Sequence, residues 1–553
     1  MAPAKKKVVP IDWKACDVPI KAPTGQHTQA QVKKASIPLI FVPGIMGSRL
    51  ERDDKGFCWD PDAKAHMWYN YSGVDGAGRK KFLIDNPNED GHSRRVMGQR
   101  NGSDCSDLRD ALRSAWTTSH YFKSNEYHPP DWQWLPDEVR KLPPKDRIEK
   151  MLDIAVLNGW PEVAWGFYGS IIQNLAKATF PSFKRIFYHP VYAVGYDWVG
   201  DNKLAGGDLT KRIAEIKKQE QGYGRECKQV ILVSHSMGGL VTRASVVPKV
   251  ATACSKADVL GVVHGAQPAS GAPAAYRRMR AGFEPGPNEG YVDKKARGVL
   301  GFTSSQVVPV LGGCVGGLEL LPTKLYRFVL QGKEHTLWLF QREKDGSLGE
   351  GMPKSGNPYN EIYREDKDFL RLVFDPGMLD PGAKPKQAQG NRTSSPDAGP
   401  RSDFLKNLKA AEDFHDTLQD QAHAATFITW GANTGLGTFD HILWNYDPKA
   451  EPENDGVGSD LDPKPPDGSQ PSRFTMAGPH GPGDQTVPAS SGAMLLKKSL
   501  NKALHNAQCK PVSGEIKDSL EHSHFYDHGS VLDFVIAAVE ELSFQFREDT
   551  IGK

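Results

Sequence analysis

Short, fully apolar runs alternate with longer stretches of helical spacing along much of this chain. LIFV at 39–42, VILV at 230–233 and VLGVV at 259–263 are continuous apolar segments, and VYAVGY at 191–196 and AATFITWG at 424–431 are close to it. Such runs mark strands covered on both faces, as in parallel sheets. Between them, apolar spacing predicts helices over about 160–176, 209–218, 240–247 and 402–423, the last of them polar. A terminal helix is predicted over 530–544, with Val531, Phe534, Val535 and Val539 on one face. In the first helix Trp165, Tyr168, Ile171, Ile172 and Leu175 form a stripe of the kind that enters a core. Strand, helix and strand in alternation predict an α/β chain with a mostly parallel, doubly wound sheet.

Breaks in the pattern divide the chain. Residues 1–36 are polar and lysine-rich and predict an N-terminal tail. Residues 37–273 carry the first part of the core, interrupted at about 50–150 by a loop-heavy insertion with a helix or two. Residues 274–425 predict a cap or lid, in which VVPVLGG and GGLELLP between 302 and 325 would cover a pocket and about 375–402 forms a Pro/Gly/Ser/Gln-rich loop. Residues 426–553 return to the core, with another Pro/Asp/Gly-rich loop at about 445–471. An insertion of this size points to a lid that controls access for a bulky or interfacial substrate.

The chemistry concentrates at the ends of the predicted strands. QVILVSHSMGGL at 229–240 runs from a strand through small residues into a helix, the pattern of a nucleophile elbow that lifts Ser236 clear of the backbone. Strand and helix nearly touch there, so small residues are needed two positions either side, and Ser234 and Gly238 supply them; glycine is the usual residue at the first of these. The turn after 39–42 exposes amides that can form an oxyanion hole with the residue after the nucleophile, which assigns the donors to the Ile45 and Met237 backbone N–H groups. HGAQPASGAP at 264–273 should border the same pocket, with His264 as a wall residue. GDQTV at 483–487 offers Asp484, as an acid or as a plain turn former, and EHSHFYDH at 521–528 offers His522, His524 and His528, each a candidate base. Serine, then aspartate, then histidine is the chain order of α/β-hydrolases. These types belong together because serine is a poor nucleophile at neutral pH: histidine takes its proton, and the carboxylate holds the imidazole tautomer. A transition-metal reading of the three histidines is the lesser alternative, with no cysteine ligand nearby. DNPNEDG at 85–91 is acidic but lacks the ligand spacing of a calcium loop, so a structural calcium has no support and a solvated turn is expected.

Composition narrows the partners. Among 553 residues, 69 Lys and Arg nearly balance 67 Asp and Glu, so no strong field favours nucleic acid. Cys16, Cys58, Cys105, Cys227, Cys254, Cys314 and Cys509 are scattered without paired spacing, which suits a protein made in a reducing compartment. The opening MAPAKKK is basic but no signal-peptide apolar region follows, and no apolar run reaches the roughly 18 residues of a membrane span. Export, if it occurs, is expected by a route other than a cleaved signal.

PLIFVPGIMGSRLE at 38–51, GYDW at 195–198, SHSMGG at 234–239 and GDQTV at 483–487 together resemble lecithin:cholesterol acyltransferase-like lipases and bacterial lipases related to the enzyme that deacylates glycosylphosphatidylinositol anchors. HGAQPASGAP at 264–273, YRRMR at 276–280 and LELLP at 318–322 resemble antibacterial lipase effectors of type VI secretion. The likeness covers about half the chain in islands. It implies an α/β-hydrolase fold with large cap insertions, a triad of Ser236, Asp484 and His522, and an oxyanion donor at Ile45. It also implies a lipase or phospholipase acting on membrane phospholipids through an acyl-serine, with no cofactor or metal required. A cognate immunity protein and secretion-spike components as partners, and export from a bacterial cytoplasm to a target-cell periplasm, follow from the same resemblance. An intracellular esterase or acyltransferase on soluble acyl substrates, and a non-catalytic binding protein on a hydrolase scaffold, are the alternatives.

Overall fold

The computed structural model describes residues 35–52, 56–84, 94–97, 106–119, 125–127, 129–178, 187–248, 250, 258–284, 291–382, 400–446, 474–505 and 511–551. The expected tail up to residue 34, the acidic stretch 85–91, and most of the loops at about 375–402 and 445–471 lie outside the described residues, as do Cys16, Cys105, Cys254 and Cys509.

At the centre is a six-stranded sheet in which every neighbouring pair is parallel. In chain order its strands and covering helices are β1 (Leu39–Val42), α1 (Trp165–Lys177), β2 (Val191–Ala193), α2 (Asn202–Gly222), β3 (Val230–His235), α3 (Gly238–Val246), β4 (Val259–Gly265), α4 (Pro273–Ala281), α5 (Pro400–Leu418), β5 (Thr426–Gly431), β6 (Glu515–Ile516) and α6 (Gly529–Ile551). The spatial order is β6-β5-β4-β3-β1-β2, with β3 near the middle. Side chains alternate across it: Phe41, Ile231, Val233 and Val263 pack with α1 and α6, whereas Val42, Val230, Leu232 and Val262 pack with α2 and α3. Each such fully buried side chain contributes about 1.5–3 kcal/mol relative to exposure, and coverage on both faces is why these strands carry no polar alternation.

α2 begins well before the predicted 209. Its entry is capped by Asp201, whose carboxylate accepts the Lys203 N–H at 2.6 Å, and its first turns bury Ala205 and Gly206. A Cβ on Gly206 would lie 2.6 Å from the Ala244 Cβ of α3, so the two helices meet through small residues that leave no apolar signature. The insertion at 50–150 is more helical than its composition suggests, with helices at Lys64–Tyr71, Gly76–Leu83, Ser106–Ala115, Asp137–Arg140 and Pro144–Leu157 beside a small antiparallel sheet. Its core is built from tryptophan: Trp132 packs against Trp116, Trp134 and Trp160 with ring centroids 5.0–5.2 Å apart. A few large rings do the work of many aliphatic residues, which dilutes the helical period.

A second core lies outside the sheet. Tyr276, Leu318, Trp338, Tyr359, Phe404 and Leu408 from 274–425 pack with Ile442 and Trp444 from beyond that range. α5 is not the polar helix its composition predicts. Phe404, Leu408 and Ala411 enter this second core while Phe414 and Leu418 enter the core of the sheet, so one helix joins the two. The segment around Val315–Leu318 is tied to the strand ends by Ala272 N–H to Leu320 O (2.9 Å) and Thr323 N–H to Ser270 O (3.0 Å). Glu319 within it is fully buried, accepts the Asn202 N–H at 3.2 Å, and offers its carbonyl to His415. Among the described residues no helix is long and apolar enough to cross a membrane. Cys58, Cys227 and Cys314 are buried free thiols, and burial pushes each up to about 12.

Burial first, and then the neighbouring Asp201 carboxylate, raise Glu319 well above the ordinary carboxyl range. The folded chain therefore holds this proton at pH values where the unfolded chain has lost it. Its contribution is complete below the unfolded pKa near 4.5 and declines as pH rises through the folded value. Glu319→Gln is expected to flatten the fall in melting temperature between pH 5 and pH 8; an unchanged pH profile in thermal denaturation would remove Glu319 as its source.

Candidate active site

The turn from β3 into α3 sets the geometry. Ser236 has φ of 52°, a left-handed conformation that costs a non-glycine residue about 1–3 kcal/mol. It is held by its own N–H, which donates to Gly265 O at 2.9 Å. Space is the second constraint: a Cβ on Gly238 would sit 2.2 Å from Pro43 O, and one on Gly44 would sit 3.0 Å from the Ser236 Cβ. The loop after β1 thus lies directly against the elbow. Ser234, where the elbow pattern has glycine, is accommodated because its Oγ turns to His264 Nδ1 at 2.8 Å across the β3–β4 pair.

That contact gives His264 a structural role. It is 1% exposed, bonded beneath the elbow through Ser234, and burial lowers its pKa to about 3. Side chains alternate along β4, and the next residue but one from Val262 shares its inward face.

Asp484 follows a two-stranded ladder between Asn433–Thr438 and Gly481–Gly483. Gln485, with φ of 72°, donates its N–H to Thr438 Oγ1 at 2.9 Å and so closes the turn. Asp484 Oδ1 accepts the Val487 and Thr486 N–H groups at 2.7 and 3.1 Å, which leaves Oδ2 to accept His522 Nδ1–H at 2.9 Å. His522 opens a 3₁₀ turn, His522–Asp527, that leads into α6. Its Nε2 lies 2.8 Å from Ser236 Oγ, placed to accept the hydroxyl proton. The aspartate is buried, the histidine side chain is 15% exposed and Ser236 is 4% exposed. Of the three histidines only His522 reaches the serine: His524 pairs with Asp527 and His528 with Asp518, both facing outward.

The Ile45 and Met237 N–H groups follow the two tight backbone contacts and find no acceptor among the described residues. Two further residues complete the surroundings and carried no chemical signal in the sequence. Tyr168, from the apolar stripe of α1, accepts the Gly44 N–H at 3.0 Å and turns its hydroxyl to His235 Nδ1, also at 3.0 Å. His235 packs its ring 4.9 Å from that of His522, and burial followed by the proximity of His522 drives its pKa well down. It therefore stays neutral and does not oppose a positive charge on His522. On the far side, Tyr526 donates its hydroxyl to Ser234 O at 2.7 Å. A hydroxyl facing an imidazole with a carboxylate behind it suits acyl transfer.

Ser234 is the hydrogen-bond partner of His264 among the described residues, and His264 Nε2 has none. Ser234→Ala is expected to lower stability by about 1–3 kcal/mol in urea titrations through the buried polar atom left behind. An unchanged midpoint would mean that His264 finds another partner.

No protein-family model matches the sequence, and no curated protein matches it. Among solved structures, a chain of the crystal structure of the Tle4–Tli4 complex superposes with a TM-score of 0.59 at 21% identity, over 93% of this chain and 99% of that one. The match extends across sheet, insertions and cap alike, so this protein shares the fold of that chain along nearly its whole length.

Proposed function

We propose that this protein is a serine lipase or phospholipase on an α/β-hydrolase fold, cleaving carboxylic esters of membrane glycerolipids through an acyl-serine intermediate. The observation that carries the proposal is the hydrogen-bond chain from Asp484 through His522 to Ser236, at 2.9 and 2.8 Å. His522 Nε2 takes the hydroxyl proton as Ser236 Oγ attacks the ester carbonyl, and Asp484 stabilises the imidazolium. The Ile45 and Met237 N–H groups hold the oxyanion, a role worth about 3–4 kcal/mol per donor where one has been removed in serine proteases. The tetrahedral adduct collapses as His522 hands its proton to the leaving alcohol, and the acyl group stays on Ser236. Water, deprotonated by the same histidine, then attacks the acyl-serine and releases the fatty acid. The sequence of steps calls on no cofactor.

A lipid substrate is favoured by the apolar segment that packs beside the elbow. Val315–Leu318 packs beside Met237, where a Cβ on Gly316 would lie 3.3 Å from the Met237 Cε, and Ser236 is nearly inaccessible. A segment in this place would suit a lid that a lipid surface moves. Tle4 is a type VI lipase effector and Tli4 its immunity protein. The shared fold supports the same biology here: export by type VI secretion with spike components, action on phospholipids in a target-cell periplasm, and a cognate immunity protein in the producer.

Fatty-acid release from mixed phospholipid vesicles, followed by mass spectrometry, tests the chemistry. Ser236→Ala is expected to abolish release, and Asp484→Asn to lower kcat about 10⁴-fold by loosening the imidazole tautomer. Equal release by wild type and Ser236→Ala would overturn the nucleophile assignment. Activity confined to monomeric short-chain esters would favour the soluble esterase instead. The effector reading is tested separately by directing the chain to a bacterial periplasm: growth inhibition that depends on Ser236 is expected, and normal growth would count against it.

A further inference from the structure

Outside the catalytic chain, Asp440, His441 and His480 bring an oxygen and two imidazole nitrogens within 4.8 Å of one another. Asp440 and His441 lie just past the strand Asn433–Thr438, and His480 directly precedes its partner Gly481–Gly483, so the Thr438–Gly481 pairing creates the cluster. Asp440 is buried, and its carboxylate lies so close to the backbone that a Cβ on Gly481 would fall 2.1 Å from its Cγ. Tyr326 O–H donates to the Asp440 carbonyl at 2.6 Å, which fixes the main chain there. His441 is fixed as well: its ring stacks on Phe328, with centroids 5.0 Å apart and planes at 19°, and meets Phe340 edge-on.

The contacts set the imidazole chemistry. His441 Nδ1 lies 2.7 Å from Asp440 Oδ1, which makes Nδ1–H the donor and leaves the lone pair on Nε2. That lone pair faces His480 Nε2 at 3.1 Å. Two nitrogens bound to one tetrahedral zinc at Zn–N of about 2.0–2.1 Å stand about 3.3 Å apart. A metal-bound histidine characteristically gives its other N–H to a carboxylate, as His441 does to Asp440. The ligand set is nitrogen-rich, and this favours a borderline transition metal over calcium or magnesium, which take oxygen.

We propose that Asp440, His441 and His480 form a binding site for a divalent transition metal, zinc in the first instance, which pins the two strands that lead to the Asp484 turn. The two imidazoles supply the nitrogen ligands, and Asp440 orients His441 and adds its carboxylate to the charge balance. Water completes the coordination, since His480 is exposed. The ion takes no part in ester cleavage. It replaces the single proton shared by two imidazoles with a stronger link between segments far apart in sequence. Sequence inspection alone misses it, because the ligands follow no metal-binding spacing.

The full-length protein, stripped with chelator and dialysed, would be titrated with zinc chloride by calorimetry, and with cobalt chloride while recording its visible spectrum. One zinc per chain is expected, with the visible bands of low-symmetry cobalt. His480→Gln, at an exposed position, is expected to abolish both signals while leaving the far-ultraviolet circular dichroism unchanged. Asp440→Asn is expected to weaken zinc about 10–100-fold by freeing the His441 tautomer. Ser236→Ala should bind zinc as wild type does, which separates this site from the catalytic assignment. Absence of stoichiometric binding by the wild-type chain, or binding by His480→Gln with unchanged affinity, would overturn the proposal.

Discussion

The candidate site depends on one close backbone approach. Gly238 lies over the Pro43 and Val42 carbonyls with no room for a side chain, which locks the start of α3 onto the loop that leaves β1. The same approach sets Gly44 against Ser236, just before Met237 begins the helix. It comes with strain. Met46, Ser236, Ala266 and Gln485, all around the strand ends, hold positive φ values without being glycine. Each such residue costs about 1–3 kcal/mol, and the sheet buried on both faces is the reservoir that offsets it.

Burial also sorts the histidines. His189 and His264 are held to about 3, His415 to about 4, and His235 well below its ordinary value, each chiefly by desolvation. Imidazoles of this kind remain neutral and act as fixed hydrogen-bond partners. His522 differs in keeping part of its edge in solvent and in having one buried carboxylate behind it. The neutral His235 beside it means that a proton gained by His522 meets no competing positive charge.

The segment 274–425 is joined to the sheet by more than proximity. α5 enters both hydrophobic cores, and Glu319 is wedged between the start of α2 and α5. Moving residues 315–323 away from Met237 would break the main-chain bonds of Leu320 and Thr323 to the loop after β4 and expose Leu318 and Leu321, at about 1.5–3 kcal/mol per side chain. In the proposed lipase an acyl-chain surface would compensate that loss, which water cannot.

The linear pattern by itself determined five of the six central strands, their parallel winding and the strand-to-helix turn at Ser236. Apolar runs of four or five can be satisfied only between two layers of helix, and small residues around a serine after such a run have few structural outcomes. It did not resolve His522 from His524 and His528, because one turn of 3₁₀ helix decides which imidazole faces inward. The two-residue strand Glu515–Ile516 and the small-residue start of α2 carry too little apolar signal to be legible. Tyr168, His235 and His264 took their places through packing across strands and helices, and Asp440, His441 and His480 met only through strand pairing. Local sequence sets which face a residue prefers, but what it faces depends on segments hundreds of residues away, and only the tertiary structure brings those together.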